Sequence, residues 1–171
     1  RPFIKIMSKT NAVRILESHK VKLETVSYEV VEKDLSGETV ALKIGVDADT
    51  VFKTLVRIGD KTGHIVFCIP VTQELNLKKA ATASGNKKVE MIKVKELFPL
   101  TGYIRGGCSP IGMKKQFPTY IDETAQMYEN IFVSAGIRGT QMKLNPDDLL
   151  KIVSDVYADL IWVTGLISWK V

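Results

Sequence analysis

The 171-residue chain holds only two cysteines, Cys68 and Cys108, and two histidines, His19 and His64. Two thiols cannot make a disulfide framework, and two imidazoles do not complete a four-ligand metal site. No metal and no cofactor are expected, and a reducing, cytoplasmic setting fits best. Long apolar runs are also missing. The longest, such as residues 65–71, fall far short of the ~20 residues that span a bilayer, so neither a transmembrane helix nor a membrane partner is expected. There is no G-x-S-x-G elbow, Walker loop, H-E-x-x-H pair or G-x-G-x-x-G opening a helix. No histidine neighbours a candidate nucleophile, which disfavours a Ser-His or Cys-His enzyme.

What is present is an ordinary globular composition, 45% hydrophobic and 25% charged, in a length that suits one domain. The net charge of +5 is unevenly spread. Residues 1–50 balance eight basic against eight acidic groups, residues 51–115 carry twelve against four, and residues 116–171 carry four against seven. A basic middle between neutral and acidic flanks suits either a polyanion-facing surface or a solvated lysine-rich face. One domain is expected over residues 7–161. Residues 1–6, ahead of Met7, read as an appended tail. Residues 162–171 read either as a second such tail or as a native strand or hairpin about Gly165.

Capping and periodicity place the elements. Thr10 or Asn11 opens a helix to about Ser18 with Val13, Ile15 and Leu16 on one face, which makes His19 a helix-end residue. Residues 23–30 alternate as a strand with Val26, Tyr28 and Val30 on one face. Ser36 and Gly45 bracket a short helix. Residues 52–58 and 64–70 form a hairpin about the turn 59–63, with Cys68 as core packing. A lysine-bearing helix over 75–83 turns Leu75, Leu77 and Ala80 or Ala81 inward. A short strand over 87–91 and a helical turn over 93–98, ended by Pro99, follow. Residues 101–118 are too rich in glycine and proline for a regular element. Strands at 119–122, 131–134 and 141–144 precede a helix opened by Asn145-Pro146. Without a βαβ rhythm, this order indicates an α+β fold with a mixed, barrel-like sheet and surrounding helices.

Three features can carry chemistry, each with a structural alternative. Lys53 shares its strand face with Leu55 and Arg57, as a solvent-facing lysine would, yet a lysine in a pocket is a compact cation for a phosphate or an oxyanion. Gly106-Gly107-Cys108-Ser109-Pro110-Ile111-Gly112 is either plain turn geometry or a loop whose amides approach a ligand, with Lys114 and Lys115 following. Ser134-Ala135-Gly136-Ile137-Arg138-Gly139 is a hairpin connection or a rim of small residues with one arginine.

Taken together, Val51-Phe52-Lys53-Thr54-Leu55, Lys87-Lys88-Val89-Glu90-Met91, Thr101-Gly102-Tyr103, the glycine loop and Val133-Ser134-Ala135-Gly136-Ile137-Arg138-Gly139 resemble, in order and spacing, one family. It is that of the YbaK-type Cys-tRNA(Pro) deacylases, free-standing relatives of the prolyl-tRNA synthetase editing domain. The resemblance covers about residues 8–160. It implies hydrolysis of the ester of mischarged Cys-tRNA(Pro), with aminoacylated tRNA(Pro) and prolyl-tRNA synthetase as partners. The family's essential lysine falls on Lys53, its carbonyl-binding glycine on Gly106 and its pocket serine on Ser134. Tyr28, Thr54, Gly107 and Gln141 fall on the substrate side, and Arg105, Lys114, Lys115 and Arg138 on the tRNA side. The resemblance also implies that the substrate's own thiol attacks the ester while the protein orients it and stabilises the oxyanion. Two positions depart: Gln141 stands where close members often have aspartate, and Cys108 where many have an aliphatic residue. Ala-tRNA(Pro) hydrolysis and a catalytically silent module that binds tRNA or the synthetase remain the alternatives.

Overall fold

A computed structural model of the chain describes residues 9–153 and 156–162. Five α-helices and eight strands are assigned among them. Helix α1 (Asn11–Ser18) is capped by Thr10, whose hydroxyl accepts from Val13 N, a cap worth about 1 kcal/mol. His19 closes it, with Nδ1 donating to Ile15 O at 2.9 Å. Helix α2 (Gly37–Ile44) starts at Ser36 and stops at Gly45, whose φ of 76° is the left-handed cap expected of glycine.

Strand β1 (Leu23–Ser27) pairs antiparallel with β7 (Thr140–Leu144), and β7 pairs with β6 (Ile131–Ser134), giving a three-stranded sheet. The second sheet runs β4 (Val89–Met91), β2 (Phe52–Gly59), β3 (Gly63–Pro70), β5 (Thr119–Asp122), β8 (Tyr157–Ala158). The pairs β3·β5 and β5·β8 are parallel and the rest antiparallel. The α+β class therefore holds, but among the described residues no barrel closes. Among the described residues the backbones of the two sheets pair through one parallel bridge, Val51 to Phe132, after which β2 pairs with β3 and β4 while β6 pairs with β7.

Burial explains the hairpin's continuous apolar run. Val66 and Cys68 of β3 enter the main core with Val13 and Leu16 of α1, Ile131 and Val133 of β6, Met142 and Leu144 of β7, and Leu149 and Val153 of α5 (Pro146–Val153). The alternate residues Ile65, Phe67 and Ile69 enter a second cluster with Ala80 and Ala81 of α3 (Leu77–Ser84) and with Leu160 and Ile161. A strand covered on both faces has no polar side to show. A third cluster, Ala41, Val51, Val71 and Phe132, fills the space under α2 on the back of the small sheet.

Four local expectations are corrected. Strand β1 ends at Ser27, because Tyr28 N donates to Gly139 O in a loop instead of continuing the ladder. Leu75 precedes α3 and bridges Ile161, while Leu77 lies exposed, since Asn76 caps the helix and turns Leu77 outward. Pro99 does not stop a helix but sits in the first turn of α4 (Leu97–Thr101), where its missing N–H has no intrahelical acceptor to lose. Short 3₁₀ turns at Ala48–Thr50 and Glu123–Met127, each capped by an aspartate, occupy stretches read without structure. The tail readings for residues 1–6 and 163–171, including the hairpin about Gly165, lie outside the described residues.

Candidate functional site

The bridge between Val51 and Phe132 sets the site. The two strands leave it in the same direction, so Lys53 and Ser134 each lie two residues beyond it, on strands that now belong to different sheets. A cavity of about 430 Å³ opens in this parting, within the usual size of a small-molecule site. Gln141 stands opposite Ser134 on one side and Val26 on the other, on the back of the small sheet, and also lines the cavity. Tyr28 borders it just past the end of β1, half-buried. The start of α2, residues 91–94 and Arg105, Gly106 and Cys108 complete the walls.

Of the residues singled out from sequence, Lys53, Thr54, Tyr28, Arg105, Gly106, Ser134 and Gln141 come together around this cavity. Lys53 is half-buried rather than fully solvated. Thr54 Oγ1 lies 3.9 Å from Cys68 Sγ. Ser134 Oγ accepts from Gly136 N at 3.1 Å, which ties its orientation to the turn that follows it.

Gly107, Lys114, Lys115 and Arg138 do not line it. Gly107 is buried against the Ile137–Arg138 backbone, where an added Cβ would come within 3.1 Å of Arg138 N, so it sets the approach of two loops. Arg138 donates from Nε to Arg105 O at 2.9 Å and borders a smaller neighbouring pocket with Tyr28 and Gly106. Lys114 and Lys115 are exposed, Lys114 with its Nζ 5.1 Å from the centre of the Phe98 ring.

Gly106 itself has φ +86°, a backbone state that L side chains rarely adopt. The loop is braced from behind by Tyr103, whose hydroxyl donates to Ile111 O at 2.6 Å and whose ring packs against Gly136. Burial pushes the Tyr103 phenol up to about 12, so it stays protonated as a donor.

Among the described residues, two polar atoms around the cavity are buried without a hydrogen-bond partner: Gln141 Oε1 and Arg57 Nε. The Gln141 side chain belongs to a residue only 6% exposed. Arg57 donates from one terminal nitrogen to Val56 O at 2.9 Å; burial lowers its pKa and the nearby Glu74 opposes that shift, leaving a guanidinium that remains charged. Arg57 and Lys93 were not singled out from sequence, although Arg57 shares the strand face of Lys53 and both lie in the basic middle of the chain. Among the described residues, with Lys53 and Arg105 they put four cations around the cavity against one acid, Glu38.

Side-chain nucleophiles are poorly provided. Cys108 borders the cavity, but burial pushes its thiol up to about 12, and a protonated thiol is a weak nucleophile. No histidine lines the cavity: His19 is spent on α1, and the His64 ring lies 5.8 Å from Phe117. No group of three or more His, Cys, Asp or Glu among the described residues is placed to hold a metal ion.

Fold and cavity thus define a class first: an α+β domain whose site offers cations, a glycine loop and small polar groups rather than an activated side-chain nucleophile. The aminoacyl-tRNA editing domain model matches residues 32–152, and the chain belongs to that family. It is 53% identical over 156 residues to an Enterococcus faecalis protein named "Putative Cys-tRNA(Pro)/Cys-tRNA(Cys) deacylase EbsC", covering 91% of this chain and 95% of that one. A proline–tRNA ligase of Shouchella clausii is 32% identical over 96 residues, 56% of this chain and 17% of the ligase. A solved structure described as "a putative trans-editing enzyme for prolyl tRNA synthetase" superposes with a TM-score of 0.77 at 24% identity, over 89% of this chain and 93% of that one, a likeness of fold. The resemblance carried by the five motifs is borne out.

Proposed function

We propose that the protein is a trans-editing aminoacyl-tRNA deacylase that hydrolyses the ester of Cys-tRNA(Pro). The observation that carries this reading is the convergence of Lys53, Gly106, Ser134 and Gln141, from four separated segments, on one cavity in a chain of the editing family. The name of the 53% identical relative supports cysteine as the amino acid and tRNA(Pro) as its carrier.

In the proposed reaction the substrate thiol attacks its own ester carbonyl. The carbon–oxygen bond to the ribose breaks, the ribose hydroxyl leaves with the thiol proton, and water opens the resulting thiolactone to free cysteine. The protein's part is to hold the ester and stabilise the oxyanion, which accords with a protonated Cys108 and no nearby imidazole. Backbone amides about Gly106 face the oxyanion, while Lys53 meets the terminal phosphate or the aminoacyl group rather than acting as a base. Ser134, Gln141, Tyr28 and Thr54 shape the aminoacyl side, and Arg105 the tRNA side. Gly107 and Arg138 support the loop. Prolyl-tRNA synthetase is the proposed source of the substrate and a partner in the same cytoplasmic compartment.

Deacylation of Cys-, Ala- and Pro-tRNA(Pro), with and without prolyl-tRNA synthetase, tests the reading. Release of cysteine well ahead of alanine is expected, with Pro-tRNA(Pro) spared. Preferential release of alanine would move the substrate to Ala-tRNA(Pro). Retention of tRNA without hydrolysis would make the chain a silent binding module, as the neutral Gln141 could permit.

A further inference from the structure

Beside the cavity lies an apolar ledge that the proposed reaction does not use. Met91, Val94 and Phe98 are 69%, 68% and 55% exposed, unusual for three large apolar side chains close in sequence. Met91 ends the edge strand β4 and, with Val94, borders the cavity; Phe98 lies four residues past Val94, one helical turn on. The ledge is framed by both signs of charge, with the acids engaged: Glu90 pairs with Lys88 at 2.8 Å, and Glu96 accepts from Lys93 N at 2.6 Å. Lys93 and Lys95 are exposed within the same stretch, and the Lys114 ammonium sits 5.1 Å from the centre of the Phe98 ring. The Lys114 stem crosses Gly102, where an added Cβ would come within 3.3 Å of it, so a glycine at φ +83° makes room for that lysine. Apolar faces that bases can stack on, interleaved with lysines for the backbone, are what a single-stranded nucleic acid needs. With Glu90 offset by Lys88, the three lysines Lys93, Lys95 and Lys114 stand against Glu96, a balance that favours a polyanion.

We propose that Met91, Val94 and Phe98 form a stacking ledge for the unpaired bases preceding the terminal nucleotide of tRNA, with Lys93 and Lys114 on their phosphates. This rests on the reading that the charged 3′ end of tRNA enters the adjoining cavity.

The probe is a tRNA 3′-terminal tetranucleotide with fluorescent pyrrolocytosine in place of its last cytidine. Binding to the wild-type protein should quench it. Phe98→Ser and Val94→Ser should each weaken binding about tenfold and lose the quench, with unchanged circular dichroism. Lys114→Ala should reduce the slope of log affinity against log salt by about 0.7. In hydrolysis, Phe98→Ser should lower kcat/KM on Cys-tRNA(Pro) about tenfold and leave 3′-O-cysteinyl-adenosine unaffected, since that substrate lacks the preceding bases that the ledge would hold. Unaltered tetranucleotide binding in both serine variants, an equal loss on both substrates, or a loss confined to self-association or synthetase binding overturns the ledge. Quenching that depends on the ledge in a protein that hydrolyses no charged tRNA sustains the ledge and overturns the editing reading; hydrolysis that ignores the ledge does the reverse.

Discussion

The two ends of the β2–β3 hairpin are built from similar residues and treat polar groups in opposite ways. At the turn end, Asn86 Oδ1 accepts from Lys61 N at 2.8 Å and Thr62 N at 3.0 Å, while its Nδ2 donates to Thr62 Oγ1 and Ser84 Oγ. Asp60 Oδ1 accepts from Lys87 N and Lys88 N, and those backbone bonds, Lys88 first, hold its carboxyl below the usual range. At the open end, Lys53 borders a cavity that follows β2 as far as Arg57, which pairs with Ile65 near the turn; in that cavity Gln141 Oε1 and Arg57 Nε have no partner among the described residues. A buried polar group left unmatched costs more than a matched one returns, so the cavity side carries a cost in stability that the saturated turn does not.

Four experiments break or sharpen that contrast. Lys53→Ala, at the open end, should cut deacylation of Cys-tRNA(Pro) by about a hundredfold or more while leaving the denaturation midpoint unmoved, because a preorganised cation serves the reaction and not the fold. Wild-type turnover in that variant would remove Lys53 from the site. Asn86→Ala should do the converse, lowering stability by about 2 kcal/mol in urea unfolding while kcat stays within twofold. Gln141→Met should raise stability by about 1 kcal/mol, opposite in sign to Asn86→Ala, since it deletes an unpartnered buried oxygen, and should change the Cys/Ala preference. A fall in stability would mean that the oxygen is satisfied after all.

The smallest effect at neutral pH concerns the thiols. Burial pushes both Cys68 and Cys108 up to about 12 from an ordinary value of 9.0. The folded chain thus keeps protons that the unfolded chain releases, and the stability this represents is complete below pH 9 and lost as pH rises toward 12. Melting temperature should be insensitive to either thiol at pH 7 and fall between pH 9 and 11, less steeply in Cys108→Ala. At pH 8 neither thiol should react with a disulfide reagent until denaturant is added.

Much of the fold was legible where the signal is short-ranged. Thr10, Ser36 and Asn145 mark helix starts by satisfying amides within three residues, and Gly45 and Gly85 end helices by adopting a left-handed φ. The apolar runs of β2 and β3 about 59–63 defined a hairpin whose register the structure matches. The errors have equally local causes. Residues 28–30 alternate as a strand would, but a strand needs a partner, and beyond Thr140 the partner turns into the 135–139 loop. Leu77 fits an amphipathic helix until the Asn76 cap fixes the phase of α3 and exposes it.

The site was legible chiefly through motif resemblance, and only in part through charge. The basic residues 51–115 scatter on folding: Lys79 pairs with Asp159, Lys88 with Glu90, and Lys53, Arg57, Lys93 and Arg105 reach the cavity. Sequence alone determined the caps of α1, α2 and α5, the hairpin and the α+β class, because each depends on neighbours a few residues apart. Tertiary structure alone decided that β2 and β6 meet at a single bridge and then part, that Arg57 joins Lys53 while Lys114 turns to Phe98, and that Gln141 keeps an unsatisfied oxygen. Those outcomes depend on which distant strands pair and which faces they bury, and no local spacing carries that information.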